Sequence, residues 1–311
     1  MIIDIHAHLW GEEIPSKEWW DSFVKISASI SGRPEEKVRE KMPGWWDLSG
    51  DLLVKDMDEG GVDQAIILTV DSSIFAGTGE GVSLERLHQI TAAAVRRHPD
   101  RLAGFAGVDP RRPGAVKFLE RAVKEWDMKG LKLHPAFGFY PNDNRCYLLY
   151  SKAQELGIPV ILHTGPEVIP MYSKYANPIY LDEVANDFPD LTIIMAHGGG
   201  CYWPEAASIV SNKPNLFLDL AWWQPKILRN PVDEFYKPLR SILNTVGPSR
   251  TLFASDWPSL RLVRKLSYQN WVKAFKEPPE EVKAAGVQFT EEEINGILGQ
   301  NAARILKMER N

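Results

Sequence analysis

The sequence predicts an α/β fold, a (β/α)8 TIM barrel with a Trp-rich insertion after strand 1. Three observations predict it. Eight short apolar runs alternate with longer stretches of helical period, the rhythm of serial β-then-α units. Several runs are rich in Val and Ile without polar alternation, as parallel strands covered on both faces require. The 311 residues accommodate a barrel of roughly 250 residues with some left over for insertions. Length alone would also admit two domains. The count of eight favours one barrel domain over 1–311, with 10–50 as a lid.

The runs are Ile2–Ile5, Val62–Val70, Leu102–Val108, Gly130–Leu133, Ile158–Leu162, Leu191–Met195, Leu216–Leu220 and Thr251–Ala254. Ser49 precedes a helix over Asp51–Glu59, and Gly60-Gly61 ends it. Pro113 opens a helix running to about Asp127. Asn144 is placed to cap a helix that ends near Gly157, and Glu291 to Lys307 forms the last amphipathic helix. The stretch between strand 1 and Asp51 breaks the rhythm. It holds Trp10, Trp19, Trp20, Trp45 and Trp46, five of the 11 tryptophans. Loops after barrel strands lie on the catalytic face, so this segment reads as a lid, a satellite core on the rim, or both.

Composition narrows the function classes. The 36 basic and 41 acidic residues give a net charge of -5, with no basic excess to neutralise a phosphate backbone. Nucleic acid is therefore not an expected partner. No apolar run approaches the ~20 residues that span a bilayer, so no membrane partner is expected either. The first residues lack a basic region followed by an apolar one, so no secretory signal is read. Cys146 and Cys201 are too few for a disulfide framework. The expected location is the cytoplasm.

Polar residues gather at the carboxyl ends of the runs. Strand 1 ends in His6 and His8, strand 4 in Lys132 and His134, strand 5 in His163, strand 6 in His197 and strand 8 in Asp256. Strands 3 and 7 end in Asp109 and Asp219. Five of the seven histidines thus stand where a barrel brings strand ends together. Alternate residues of a strand point the same way, so His6 and His8 project together and can share one ion. His163 and Asp256 would add a nitrogen and an oxygen from the far side. Three His and one Asp suit one divalent metal ion, Zn²⁺ first, with Mn²⁺ or Fe²⁺ also compatible. Asp4 shares the parity of His6 and is expected to point inward below the metal. Asp109 and Asp219 are candidate partners for the histidines. Trp10 and His134 are expected at the substrate, as is Arg261, which also reads as a surface residue. The glycines at 198–200 read as a tight turn ahead of a helix N-terminus able to meet an anion.

A resemblance becomes plain in Asp4-Ile5-His6-Ala7-His8, Ile161-Leu162-His163-Thr164-Gly165, Ala196-His197-Gly198-Gly199-Gly200 and Ser255-Asp256-Trp257-Pro258. Asn301 to Leu306 resembles the terminal helix of the same family. The chain is similar to the amidohydrolase superfamily from end to end. Within it, it resembles the branch that holds aminocarboxymuconate-semialdehyde decarboxylase, resorcylate-type decarboxylases and dicarboxylate lactonases. The resemblance implies one metal on His6, His8, His163 and Asp256, with His197 as general acid or base beside it. Several decarboxylases of the branch have Glu at the position of His6. Binuclear members of the superfamily carry a modified Lys or a Glu at strand 4, where this chain has Lys132. Lys132 therefore reads either as a bridge to a second metal or as one half of an ion pair. The branch also makes a homodimer a compatible assembly.

Such a site serves two reactions on a small-molecule substrate. It can activate water to open a small carboxylate-bearing cyclic ester or amide, with Asp256 and His197 moving the proton. It can instead hold an aromatic or muconate-type acid while His197 or Asp256 protonates the carbon that loses CO₂. The residues alone do not choose. A non-enzymatic binding protein on a decayed barrel would have lost one of these groups, and none is missing.

Overall fold

The computed structural model describes residues 1–14, 17–75, 82–263 and 265–307. Eight strands follow one another: β1 (Ile3–Ala7), β2 (Gln64–Leu68), β3 (Leu102–Gly107), β4 (Leu131–Leu133), β5 (Val160–Leu162), β6 (Ile193–Met195), β7 (Leu216–Asp219) and β8 (Thr251–Leu252). Each pairs in parallel with the next. The residues after β8 return to β1. Ile5 donates to the Phe253 carbonyl (3.2 Å), Asp256 to that of His6 (2.8 Å) and His8 to that of Trp257 (2.6 Å). These bonds close the barrel, as the eight apolar runs predict.

Burial on both faces explains why those runs lack alternation. Ile3, Ile5, Ile66, Phe105, Ile161 and Phe217 fill the barrel interior. Their neighbours Leu131, Leu133, Leu162, Ile193 and Leu218 pack outward against the helices. Each such side chain contributes roughly 1.5–3 kcal/mol by leaving water. The floor is sealed by the C-terminal segment, where Ala302 joins the interior cluster. The expected last helix is interrupted: Glu291–Asn295 and Asn301–Leu306 flank a π-helical turn over Gly296–Gln300. The turn packs closely on the N-terminus, where a Cβ on Gly299 would lie 2.3 Å from the Met1 carbonyl oxygen, so only glycine fits there.

Of the two helix starts, Ser49 accepts from the Asp51 N–H (3.1 Å) as placed, and the cap expected at Asn144 lies one residue earlier. Asp143, not Asn144, accepts from the N–H of Arg145 (2.9 Å). The start of the helix Asp51–Gly60 is held by the Asp47 carboxylate, which accepts from the N–H groups of Ser49, Gly50 and Leu53. The helix expected from Pro113 begins at Ala115.

The insertion holds helices Lys17–Ser31 and Glu35–Arg39. Its Trp20, Val24, Val38, Met42 and Trp45 form a small core of their own, with Trp10, Trp19 and Phe23 packed against it. Arg261 fastens this layer to the barrel, with Nη1 2.7 Å from Asp56 Oδ1 and Nε 3.1 Å from the Gly44 carbonyl. Among the described residues, no helix is long and apolar enough to cross a membrane.

Candidate active site

A β-bulge sets up the first ligand pair. Between Asp4 and Ala7, β1 advances three residues while β2 advances two, from Ala65 to Ile67. The extra residue breaks the parity expected from the sequence. Asp4 does not share the face of His6. It points to the helix layer, where it accepts from Tyr268 Oη (2.5 Å) and the Ser255 hydroxyl, and from the N–H groups of His6 (3.0 Å) and Ser255 (2.9 Å). Burial nonetheless pushes its carboxyl up to about 6, against those four donors. Asp4 thus ties the bulge to the strand-8 turn that carries Asp256.

Hydrogen bonds then fix the imidazoles. His6 Nδ1 lies 2.9 Å from Asp219 Oδ2, and His8 Nδ1 lies 2.9 Å from the Leu68 carbonyl. A carbonyl only accepts, so His8 carries its proton on Nδ1 and leaves Nε2 bare. An ionised Asp219 imposes the same tautomer on His6. The two Nε2 atoms face each other at 3.2 Å, and stand 3.5 and 3.3 Å from Asp256 Oδ1. Two lone pairs and a carboxylate oxygen converging this closely repel unless a cation lies among them. The spacings match the edge of about 3.3 Å in a tetrahedral site with bonds of ~2.0–2.1 Å. This donor set fits a divalent metal ion.

His163 does not join that group. Its Nε2 lies 3.2 Å from Glu167 Oε1, and His134 Nε2 lies 3.4 Å from the same oxygen. His134 and His163 stack at 4.3 Å. Their ligand atoms with Glu167 form a second set of potential metal donors. The other nitrogen of His163, Nδ1, lies 3.1 Å from His197 Nε2. One tautomer of His163 therefore sends a bare nitrogen toward His197, and the other sends one toward Glu167. Glu167 has no motif of its own in the sequence. Its only signal is its place four residues after His163, on the loop leaving β5.

His197 sits in the left-handed region at φ 59°, as does Asp256 at φ 58°. Such backbone costs on the order of 1–3 kcal/mol and persists only where the surroundings enforce it. The His197 N–H donates to Asp219 Oδ1 (2.7 Å), and its Nδ1–H donates to the Ala221 carbonyl (3.1 Å). Its Nε2 is therefore a proton acceptor. The following Gly198, Gly199 and Gly200 are also left-handed, which only glycines tolerate in succession. That run is the tight turn read from the sequence.

The charges follow from burial. The imidazoles of His6, His134, His163 and His197 are all held below their ordinary range, first by burial and then by neighbouring positive groups such as Lys132. Burial would raise Asp256, but Lys132 and, whenever their rings take up a second proton, His8 and His197 outweigh it and hold the carboxyl low. Asp219 is pushed up to about 7 by burial. Lys132 makes none of the ion pairs expected of it within 4 Å among the described residues, and burial lowers its ammonium to about 8. It faces the cavity instead.

That cavity holds about 370 Å³ above the histidines. Trp10 and His134 line it. Arg261 does not: Asp56 takes its guanidinium away from the mouth. Asp109 likewise serves no histidine, because Arg111 holds it through two hydrogen bonds (2.8 and 2.6 Å). Asp219 does serve His6.

The family model described as Amidohydrolase matches residues 3–308. The chain belongs to the amidohydrolase family. No curated protein matches it. Among solved structures, an uncharacterised TIM-barrel protein from Bordetella bronchiseptica is similar, with 22% identity, 98% of both chains covered and a TM-score of 0.71. The 5-carboxyvanillate decarboxylase LigW from Sphingomonas paucimobilis is 18% identical over 99% of both chains, with a TM-score of 0.66. A probable 2-pyrone-4,6-dicarboxylic acid hydrolase from Acinetobacter baumannii is 17% identical over 99% of both chains, with a TM-score of 0.65. At these identities the likeness is one of fold. The family is metal-dependent, and the similar structures include both a decarboxylase and a probable hydrolase.

Proposed function

We propose that the protein is a metal-dependent hydrolase that opens a small carboxylate-bearing cyclic ester or amide. One observation carries the choice over decarboxylation: the two groups placed to move a proton are both acceptors. His197 has its proton on Nδ1, committed to the Ala221 carbonyl, and Asp256 is held ionised. Hydrolysis begins by taking a proton from water. Loss of CO₂ ends by giving one to carbon, which neither group carries.

His6, His8 and Asp256, joined by His163 through either ring nitrogen, would hold a divalent ion, Zn²⁺ being the first candidate. The ion would supply Lewis acidity and a more acidic water, with a pKa near ~7. Asp256 accepts the proton of the attacking water. His197 Nε2 takes a proton in the same way and returns it to the leaving oxygen or nitrogen. Lys132, at the cavity floor and with no ion pair among the described residues, stabilises the developing carboxylate or anchors the one already on the substrate.

The test follows acid release and CO₂ together from metal-loaded protein given carboxylate-bearing lactones, small cyclic amides and hydroxybenzoates. Acid release without CO₂ is expected. His197→Asn, which tolerates the left-handed backbone, should keep the metal and lose turnover. CO₂ without acid release would assign the site to the carboxy-lyases.

A further inference from the structure

The cavity is divided by chemistry. Its floor is the polar group around His6, His8 and Lys132. Its upper wall is apolar: Trp10, Trp19 and Phe23 come from the insertion, Leu262 from the segment after strand 8, and Val168 and Met171 from the loop after β5. The rings of Trp10, Trp19 and Phe23 lock one another at 5.3–6.3 Å between centroids, so this wall is a packed surface.

Among the described residues, the arginines near the rim are already paired. Arg112 donates to both oxygens of Asp71 and to Ser73, Arg111 to both oxygens of Asp109, and Arg261 to Asp56. Among the described lining residues, Lys132 is the sole lysine or arginine, against Glu13, Glu167 and Asp256. A second carboxylate on the substrate, above the floor, would therefore be desolvated against indole rings with no counter-charge among the described lining residues, which is costly. At ~30 Å³ per water, the cavity has room for about a dozen waters' worth of ligand. That exceeds a single small ring.

We infer that the site takes an amphiphilic substrate, with one reacting, singly anionic head at the floor and an apolar aryl or alkyl body against the Trp10–Trp19–Phe23 wall. The inference rests on the reading above only in placing the reacting head beside the histidines. It sets a monoacid with a sizeable apolar body above a compact dicarboxylate.

The experiment is calorimetric titration of Zn²⁺-loaded protein with benzoate, 4-ethylbenzoate, 4-butylbenzoate and isophthalate. A buried methylene is worth about fourfold in Kd. The expected result is a Kd that falls about fourfold per methylene along the alkyl series, with isophthalate weaker than benzoate. Trp19→Ala should flatten the gain per methylene. If that variant unfolds the insertion, Ile14→Ser, at the partly exposed rim of the same cavity, reads the same slope. A flat series, isophthalate binding more tightly than benzoate, or no binding by any member overturns the inference. Binding as expected with turnover of no ester or amide removes the hydrolase reading and leaves this one. Preferred turnover of dicarboxylate lactones does the reverse.

Discussion

Asp219→Asn is the sharpest probe of the histidine floor, because it changes one atom and, above the pH near 7 at which Asp219 ionises, inverts a tautomer. In the wild type, Asp219 Oδ1 accepts the N–H groups of His197 (2.7 Å) and Ala221 (2.9 Å), while Oδ2 faces His6 Nδ1 (2.9 Å). Asparagine keeps its oxygen toward the two backbone donors. Turning the amide over would leave both of them facing another donor, at about 1–3 kcal/mol for each buried unpaired group. The new NH₂ therefore faces His6 Nδ1, which must give up its proton. That proton moves to Nε2, 3.2 Å from His8 Nε2, and the converging lone pairs become an ordinary hydrogen bond. The site then satisfies itself without a cation. Loss of such an orienting partner typically costs 10–100-fold in metal affinity, or about 1.4–2.7 kcal/mol. Competition with a chromophoric chelator for Zn²⁺ and Mn²⁺ measures it, and ¹⁵N shifts of the imidazoles report the tautomer. Unchanged affinity, with His6 still protonated on Nδ1, would refute the reasoning.

Two further predictions concern stability. His88 is buried as a neutral ring, with Nδ1–H donating to the Leu84 carbonyl (2.7 Å) and Nε2 accepting from Gly107 N–H (3.1 Å). Burial lowers it from 6.5 to about 4. The unfolded chain thus takes up its proton first, and stability should fall as pH drops from about 6.5 to about 4, by about 3 kcal/mol at most from this group. His88→Leu should remove that part of the pH dependence in urea melts of metal-free protein, and an unchanged pH slope would count against it. Asp56 accepts from both buried Trp257 Nε1 (2.9 Å) and Arg261. Asp56→Ala should cost about 1–3 kcal/mol by stranding the indole N–H, whereas Asp56→Asn restores most of it; equal melts for both variants would show that the indole bond contributes nothing.

The barrel was legible because burial on both faces leaves a mark on every strand. Runs such as Ile158–Leu162 and Leu191–Met195 need no partner to be recognised. What escaped was local geometry set by distant atoms. Asp4 has the spacing of His6, but it alternates with the interior Ile3 and Ile5 and so faces out, and the β-bulge after it re-aims His6 inward. The last helix reads as continuous, and its π-helical turn, with Gly299 packed on the Met1 carbonyl, is set against residues far away in sequence. Arg261 looks free for a substrate carboxylate until the fold sets Asp56 beside it.

The candidate site divides along the same line. Side chains at strand ends name the donors, so His6, His8 and Asp256 were readable as a set. The states of those donors are chosen by acceptors that sequence motifs do not mark. The carbonyls of Leu68 and Ala221 decide that His8 and His197 present bare Nε2 atoms. A carbonyl has the same acceptor chemistry in every residue, so no motif records this. It also resists substitution: replacing Leu68 or Ala221 changes the side chain and leaves the acceptor in place. Asp219 is the exception, a side chain holding the tautomer of His6, and hence the point where one substitution can reset the floor. His163 has the Gly165 backbone beside its ring and two further neighbours that compete for its proton. It lies between His197 on one side and Glu167 on the other, both of which accept, and one imidazole proton cannot satisfy the two. Its unmatched nitrogen calls for a second proton or a cation, which makes His163 the ligand whose state should change most when the metal binds.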